Sequence, residues 1–524
     1  MRSPGAWALA GGLTSLALAA ALFDPTLFTG GDNVAYYALA RALATGRGYV
    51  DLIAPGAPIE TVYPPGFPIL LMPFYWIFGG SMIGLKLESL LAGAVVLWAT
   101  WTIGRRDPAV PSWAAATAVW LTGLAPVFLT YTHWVLSDMS YTAVAMVALV
   151  LFQRAGDDSP LGSPVRDDAP AERDRWGGVW LAGCLVALFA FAVRTAGLAL
   201  LAAVIGWALL HRQWRRAGTA AAITVIGAVP WLAWTARRPP ESGGYLEQAT
   251  AAGRLDPESP TLSAGAFGVR AWDNLVHYAT RDFPQLFWPE SPIPPAAQAL
   301  GLVVGGTLLG LGAWRLLRDR GLAVRDLYVI LTGAILLAWP WTGDRFFLTI
   351  VPLLWLAMLA GFEAVSRLLT GGSRAAVITA GMLTAVVLVA TLRTVPRQWE
   401  ITRTWLDGDE FAAYDIFWQD YFEAARWIGR NAPDAIITAR KPTFAWYFSG
   451  RPSVVFPFHG DPERTWRFFR QRGVTHILLD PLTNEFLGPV LAPHIDRLEI
   501  AYAGPNRVVF VLRIAPAGPR AQRD

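Results

Sequence analysis

An aspartate that follows the first apolar segment carries the strongest chemical signal in the sequence. Asp32 comes after an apolar run near residues 6–23 and opens a polar, ionisable stretch from Gly30 to Arg41. A proline-rich return to apolar sequence follows at residues 63–68. A carboxylate at a bilayer surface is costly and is retained mainly where it has a function. Asp32 is therefore the leading candidate for a catalytic residue.

The composition is that of an integral membrane protein. The chain has 524 residues, of which 54% are hydrophobic and 16% are charged, and its mean hydropathy is +0.38. The length of apolar sequence that crosses a bilayer as a helix is roughly 17–22 residues. Eleven such spans are predicted, near residues 6–23, 82–103, 112–130, 139–153, 177–193, 196–210, 218–235, 298–314, 326–341, 346–365 and 375–393.

Several other classes of function are excluded. Cys184 is the only cysteine, so one chain can form neither a disulfide nor a cysteine-based metal site. The six histidines form no HExxH pair. The net charge of +4 comes almost wholly from arginines, because Lys86 and Lys441 are the only lysines. Most arginines lie in short loops between apolar runs, where they orient a membrane protein, so nucleic-acid binding is not expected.

The arginines also predict the orientation of the chain. The first span is longer than the usual apolar region of a signal peptide, which favours a retained anchor with its N-terminus inside. The even-numbered connections then carry Arg105, Arg106, Arg154, Arg166, Arg173, Arg175, Arg212, Arg215, Arg216, Arg315, Arg318, Arg320, Arg325, Arg367 and Arg374. The short returns on the other face hold only Arg194 and Arg345. The positive-inside rule therefore predicts a multi-pass protein of a bacterial-type inner membrane with its C-terminus outside.

This orientation brings four ionisable residues to the outer face. Asp32 follows the first span, Asp138 the third, Arg194 the fifth and Arg345 the ninth. Two carboxylates and two guanidiniums at one interface could hold a phosphate whose lipid tail stays in the bilayer, since the planar arginine fork donates two parallel hydrogen bonds. Simpler interpretations stay open. Asp138 could cap the fourth span, and Arg345 could extend to the interface or pair with Asp344.

The outer segments have their own predicted structure. The first outer loop, residues 24–81, contains a short helix near 68–78 that lies in or dips into the interface. The large outer loop, residues 236–297, has a helical middle near 269–280, and residues 154–176 are predicted to form a disordered cytoplasmic loop.

A small extracytoplasmic α/β domain is predicted for residues 396–524, separate from the transmembrane catalytic domain of residues 1–395. Strands are predicted near 435–438, 453–456, 476–479 and 508–514, and helices near 421–430 and 462–472. The domain has no GxGxxG, P-loop or nucleophile-elbow motif. It could form a lid, bind the acceptor or serve only structure.

The order of these features resembles the GT-C superfamily of membrane glycosyltransferases, in the branch of the protein O-mannosyltransferases, the lipid A aminoarabinose transferases and the Rgt-type transferases. The resemblance rests on the first outer loop from Asp32 to Arg41, Tyr63-Pro64-Pro65, Ser137-Asp138, Arg194-Thr195-Ala196-Gly197 and Asp344-Arg345-Phe346. It covers roughly residues 1–395.

The resemblance implies roles for these residues. Asp32 matches the acidic residue that serves as catalytic base, and Arg194 matches the basic residue near the donor phosphate. Asp138, at the same face, is predicted as a second catalytic carboxylate. Some relatives have an acidic pair where this chain has Asp32-Asn33, and some have a lysine where it has Tyr63. Tyr63 in place of the lysine removes one phosphate contact, and Arg41 or Arg345 is the expected substitute. Tyr63 is still expected at the donor phosphate site.

The expected activity is transfer of a sugar from a polyprenyl-phosphate donor to an acceptor hydroxyl on a glycolipid, envelope glycan or protein. One base and one displacement imply inversion of configuration. No cofactor is expected, and a divalent metal at Asp32 and Asp138 is possible without being required. The alternatives are a transporter or flippase for an anionic lipid, which should show helices broken near the midplane, and a non-catalytic anchor that presents the C-terminal domain as a sensor.

Overall fold

The computed structural model describes residues 3–157, 170–237, 245–252, 260–286, 293–457 and 461–515. The described residues up to 237 form ten α-helices: α1 (Pro4–Ala21), α2 (Asn33–Ala44), α3 (Gly66–Ile77), α4 (Met82–Arg106), α5 (Ser112–Leu124), α6 (Pro126–Tyr131), α7 (Ser137–Arg154), α8 (Pro170–Val193), α9 (Leu198–Leu210) and α10 (Trp214–Arg237). The next nine are α11 (Tyr245–Thr250), α12 (Ala264–His277), α13 (Phe283–Gln285), α14 (Pro295–Leu300), α15 (Gly306–Arg320), α16 (Val324–Ala338), α17 (Asp344–Phe347), α18 (Val351–Thr370) and α19 (Arg374–Leu392).

Each of the eleven predicted apolar runs is helical over most of its length. The run at 112–130 is divided between α5 and α6, and the run at 298–314 continues from α14 through a π-helical turn, Gly301–Gly305, into α15. Within the described ranges, six helical segments are long and apolar enough to cross a membrane, judged by length and composition: Pro4–Ala21, Met82–Arg106, Trp214–Ala236, Gln298–Arg320, Asp344–Thr370 and Arg374–Leu406. The prediction of an α-helical polytopic protein is confirmed, and the number of crossings stays a prediction.

Small residues allow the long helices to cross closely. The helices α15 and α18 meet at Gly312 and Gly361, where a Cβ atom on either glycine would overlap a backbone carbonyl oxygen of the other helix. Gly66, at the start of α3, similarly lies against the backbone of Ala192 near the end of α8. The Gly66 contact fixes the first outer loop against the end of α8.

The loop predicted for residues 154–176 differs in part from the structure. Its central residues, 158–169, lie outside the described residues. The helix α8 begins at Pro170, seven residues before the predicted span, so the last part of the predicted loop is helical. Asp157, in the turn after α7, accepts a hydrogen bond from the backbone N–H of Val324 at 3.1 Å.

Three of the even-numbered connections meet at one end of the helical body. Arg320, at the end of α15, donates to Asp107 at 2.9 Å and to Asp326 at 2.7 Å, and Arg325 donates to Asp107 at 2.6 Å. Asp107 follows α4, and Asp157 joins the same end through Val324. Arg320 and Arg325 are therefore buried and paired with carboxylates, which weakens their contribution to the arginine asymmetry that predicted the orientation.

The two predicted helices of the outer loops are present. The helix α3 covers the short apolar segment of the first loop, with Phe67 and Leu71 buried and Ile69, Trp76 and Ile77 exposed. That exposed apolar edge is consistent with a helix at the membrane interface. The helix α12 covers the middle of the large loop, and its Asn274 side chain donates to Leu336, Leu337 and Trp339 carbonyl oxygens at the end of α16.

The C-terminal region forms a small mixed sheet with flanking helices. Its elements are α20 (Val395–Leu406), α21 (Ile416–Asn431), β1 (Ile437–Thr438), α22 (Pro442–Ser449), β2 (Ser453–Val454), α23 (Pro462–Arg472), β3 (His476–Leu479), α24 (Pro481–Leu491), β4 (Leu498–Ala503) and β5 (Phe510–Ile514). The strand order is β2-β1-β3-β5-β4, parallel among the first three strands and antiparallel between β3 and β5 and between β5 and β4. The predicted strands and helices are found, whereas α20, α22, α24 and β4 were not predicted.

This region is docked on the first outer loop. Ser453 donates its backbone N–H to the carbonyl of Ile53 at 2.8 Å. The Tyr414 hydroxyl lies 2.6 Å from the backbone nitrogen of Leu27 and 3.1 Å from its carbonyl oxygen. The apolar residues of α21 and α22 belong to the same continuous core as those of the first loop. The C-terminal region therefore forms part of the surface that surrounds Asp32.

Candidate active site

Asp32 occupies the position immediately before α2, but its side chain does not cap the helix. Its nearest cationic partner is Arg345, in the short helix α17 that follows the ninth predicted span. The Asp32 Oδ2 atom lies 3.9 Å from the Arg345 guanidinium. The Asp32 side chain is 41% exposed and that of Arg345 is 26% exposed. Both groups can therefore be reached by a substrate.

Asp138 and Arg194 form a much closer pair. Arg194 donates to Asp138 Oδ1 at 2.5 Å, and the Asp138 side chain is only 3% exposed. Asp138 lies in the first turn of α7 and does not cap it, which argues against the capping interpretation. A buried carboxylate in a close ion pair is poorly placed to take a proton from a bound hydroxyl, so the arrangement suits Asp138 to orienting Arg194.

Two further contacts join these pairs into one cluster. Arg194 lies 3.4 Å from the Ser137 hydroxyl, which is itself 3.0 Å from the hydroxyl of Tyr36 on α2. Arg345 interacts electrostatically with Asp138 as well as with Asp32. The predicted meeting of Asp32, Asp138, Arg194 and Arg345 at one end of the helices is thus present in the geometry.

The ring of Phe346 lies near both arginines. The Arg345 guanidinium carbon lies 4.5 Å from the centre of the Phe346 ring, and that of Arg194 lies 5.3 Å from it. Asp344 does not form the predicted alternative pair with Arg345. It accepts instead from the Tyr131 hydroxyl at 3.0 Å, which leaves the guanidinium of Arg345 turned towards Asp32.

Arg41 and Tyr63 are not part of the central cluster. Arg41 is exposed in the last turn of α2, nine residues beyond Asp32, and its guanidinium carbon lies 5.8 Å from the Trp446 ring. A helix rises about 1.5 Å per residue, so this end of α2 is roughly 13 Å away along the axis. The Tyr63 ring packs 5.0 Å from the Tyr36 ring, and its carbonyl accepts from Tyr49 at 2.6 Å. Tyr63 therefore borders the cluster through Tyr36.

Three residues near the cluster were not predicted. Tyr36 and Tyr131 contribute hydroxyls to it, and Lys441 of the C-terminal region interacts electrostatically with Asp32 and Arg345. Tyr36 lies in the same polar stretch of the first loop as Asp32, so the sequence pointed to the segment that contains it. Nothing in the local sequence of Lys441 points to the site, because its position depends on how the C-terminal region docks.

Two mainly apolar cavities lie between helices that lead to the cluster residues. One, of about 360 Å³, is lined by Pro64, Pro65, Phe189, Ala192 and Trp231, next in sequence to Tyr63 and Arg194. The other, of about 350 Å³, shares Phe189 and is lined mainly by α3, α4, α7 and α8, including Leu70, Val95 and Val144. Apolar volume beside a charged cluster suits an amphiphilic ligand with an anionic head.

In the described part of the chain, no three histidine, cysteine, aspartate or glutamate side chains are arranged so that they could hold a metal ion. Asp32 and Asp138 each face an arginine instead.

Comparison with solved structures gives the fold. ArnT from Cupriavidus metallidurans bound to undecaprenyl phosphate matches over 98% of this chain and 99% of its own, with a TM-score of 0.57 and 15% identity. The chain has the fold of the GT-C membrane glycosyltransferases. The archaeal oligosaccharyltransferase AglB from Archaeoglobus fulgidus, in complex with an inhibitory peptide and a dolichol-phosphate, matches over 99% of this chain and 76% of AglB, with a TM-score of 0.57 and 12% identity. The sequence itself matches no protein-family model and no curated protein.

Proposed function

We propose that this protein transfers a sugar from a polyprenyl-phosphate donor to an acceptor hydroxyl at the outer face of a bacterial-type inner membrane. The acceptor is a glycolipid, an envelope glycan or a protein. The single observation that carries this proposal is the loose pair of Asp32 and Arg345, a base and a cation 3.9 Å apart and both accessible. The neighbours of the same fold include one bound to undecaprenyl phosphate and one bound to dolichol-phosphate, which supports a lipid phosphate as the donor group.

In the proposed reaction Asp32 takes the proton of the acceptor hydroxyl. The oxygen attacks the anomeric carbon as the bond from that carbon to the phosphate oxygen breaks, and the lipid phosphate leaves with the electron pair. One displacement inverts the configuration, whereas retention would normally need a second nucleophile close to the first carboxylate. The contrast between Asp32, at 41% exposed, and Asp138, at 3% exposed, favours Asp32 as the base.

The arginines have distinct proposed roles. Arg345 binds the donor phosphate and stabilises the charge that grows as it leaves, a contribution that is large where positioned groups replace water. Arg194, held by Asp138, is the second phosphate ligand. Arg41 and Tyr63 lie outside the central cluster and are proposed only as outlying donor contacts. The cavity lined by Pro64, Pro65 and Ala192, next in sequence to Tyr63 and Arg194, would take the first part of the lipid tail.

The test is donor consumption by the purified protein in lipid nanodiscs. Polyprenyl phosphates that carry different hexoses and pentoses are incubated with cell-envelope extract as the source of acceptors, and the loss of each donor is followed by mass spectrometry. We expect one donor to be consumed by the wild type, in the presence of a chelator as well, because a phosphate monoester needs less neutralisation on leaving than a diphosphate. Movement of a lipid-linked sugar between leaflets without its consumption would instead support a flippase.

A further inference from the structure

Lys441 belongs to the C-terminal region, yet its charge acts on the site. It immediately precedes α22, and its ammonium interacts electrostatically with the Asp32 carboxylate and with the Arg345 guanidinium. Its backbone is fixed, because its carbonyl oxygen accepts from the Tyr421 hydroxyl at 2.8 Å and from the Phe444 N–H at 3.1 Å. The side chain therefore starts from a well-defined point.

The packing of two helices brings Lys441 to this place. Tyr37 of α2 contacts α22, with its ring 5.5 Å from the Tyr447 ring and 6.3 Å from the Trp446 ring. Asp32 lies at the start of α2, and Lys441 lies at the start of α22. The aromatic contacts between the helices thus set the position of one charge relative to the other.

No hydrogen bond or ion pair holds the Lys441 ammonium among the described residues. The other lysine differs, since Lys86 is buried and donates to the carbonyl oxygens of Asp24 and Thr26. Burial lowers the pKa of Lys441, and the nearby Asp32 charge opposes that effect. Lys441 is half-buried, so its ammonium, with no partner of its own among the described residues, is available to a ligand during the reaction.

The charges of the site indicate which ligand. Three carboxylates, those of Asp32, Asp138 and Asp344, lie with the guanidiniums of Arg194 and Arg345. Those five groups alone carry a negative balance, which disfavours an anion. Sugar transfer also raises the negative charge of the lipid phosphate, because a diester becomes a monoester. A third cation offsets both effects.

We propose that Lys441 is a ligand of the donor phosphate, so that the C-terminal region supplies part of the donor site. This inference rests on the proposed function, since it assumes a lipid-linked phosphate as donor. The ammonium acts as a point charge that complements the planar fork of Arg345. The C-terminal region then has a direct part in binding in addition to its structural contacts.

The two-lysine composition offers a test on the unmodified protein. An amine-reactive reagent is applied to the purified protein in nanodiscs, and modification at residue 441 is quantified by peptide mass spectrometry, with the buried Lys86 as an internal reference. We expect undecaprenyl phosphate to slow the modification of Lys441, and neither undecaprenol nor inorganic phosphate at the same concentration to do so. Equal protection by undecaprenol, or none by undecaprenyl phosphate when it is bound, would overturn the inference. Equal protection by inorganic phosphate would overturn the lipid source of the phosphate.

Binding to variants provides the second test. Lys441→Met should weaken undecaprenyl phosphate binding roughly tenfold or more, as expected for the loss of a hydrogen bond between charged groups, and should leave undecaprenol binding unchanged. Lys441→Arg should retain most of the affinity. Arg467→Met removes an exposed cation from α23 of the same region and should have no effect. Wild-type affinity in a folded Lys441→Met variant would refute the role of Lys441 alone, whereas a wild type that binds no polyprenyl phosphate would refute the proposed function.

Discussion

The guanidinium of Arg345 lies 3.9 Å from the carboxylate of Asp32, beyond the length of a direct hydrogen bond. The other pair of the cluster, Arg194 and Asp138, is in direct contact and largely buried. In the proposed reaction the two pairs therefore have different roles. The closed pair holds Arg194 in position, and the open pair supplies Asp32 as the base for the acceptor hydroxyl and Arg345 as the cation for the leaving phosphate.

Asp32→Asn should abolish most of the turnover without loss of donor binding. The amide has nearly the same shape as the carboxylate but is a very poor proton acceptor, and the loss of a general base lowers rates by roughly 100-fold to 10,000-fold. Turnover and undecaprenyl phosphate affinity are measured on the purified variant. Asp51→Asn is the matched control in the same loop, because its side chain accepts from backbone N–H groups such as that of Ile53, as an amide oxygen can. Near-normal turnover by Asp32→Asn would exclude Asp32 as the base.

Arg194→Ala should destabilise the fold as well as impair activity. It leaves the Asp138 carboxylate, 3% exposed, without its cation, and removal of one partner from a buried ion pair costs about 3–5 kcal/mol. Thermal unfolding in nanodiscs should give a lower Tm for Arg194→Ala and a partly recovered Tm for the double variant Asp138→Asn/Arg194→Ala. Arg194→Lys, which keeps the charge and loses the fork, should impair turnover less than Arg194→Ala does.

These variants also distinguish a structural role of Arg194 from a role in phosphate binding. If the double variant recovers stability and still binds undecaprenyl phosphate weakly, Arg194 is a phosphate ligand. If it recovers stability, affinity and turnover together, Arg194 only neutralises Asp138. Equal Tm values for the wild type, Arg194→Ala and the double variant would contradict the presence of the buried ion pair.

The fold was predictable where it follows from the length of the apolar runs in the sequence. A span such as α4 or α19 needs only a sufficient run of apolar residues, and the order of the spans then predicts that Asp32 and Arg345 share one end. The pairing within that end was not predictable. Asp138 and Arg194 are far apart in sequence, and whether an arginine meets a carboxylate or stays free for a phosphate depends on differences of about an ångström.

The C-terminal region was the harder case for a related reason. The strand β4, which was not predicted, has no buried side chain, so the alternation that reveals a strand is absent from it. The position of Lys441 depends on aromatic contacts between residues about 400 positions apart, such as Tyr37 and Tyr447. No local pattern records such contacts, and for that reason Lys441 gave no signal before the structure.

Residues 396–524 are predicted to lie outside the membrane, and single cysteines test this. Ser453 is an unsuitable reporter because it is buried under the first outer loop, whereas Asp434 is exposed in the same region. In a Cys184→Ala background, a cysteine at Asp434 should react with an impermeant thiol reagent in intact spheroplasts. A cysteine at Asp319, near the opposite end of the helical body, should react only after lysis. The reverse pattern would invert the proposed orientation and move the site to the cytoplasmic face.

Arg345→Ala should lower the maximal rate as well as weaken donor binding. The guanidinium lies near the proposed base and is not held in a close ion pair by the neighbouring Asp344. Its attraction for the phosphate should therefore grow as the leaving group gains charge. An interaction that strengthens in the transition state contributes to kcat. Arg345→Lys should retain part of both quantities. Arg41→Ala is the matched control, because it removes an exposed arginine from the far end of α2, and it should leave kcat unchanged.

A folded Arg345→Ala variant with normal kcat and weaker donor affinity would restrict Arg345 to uniform binding. A larger effect on kcat from Arg41→Ala than from Arg345→Ala would transfer the leaving-group role to Arg41.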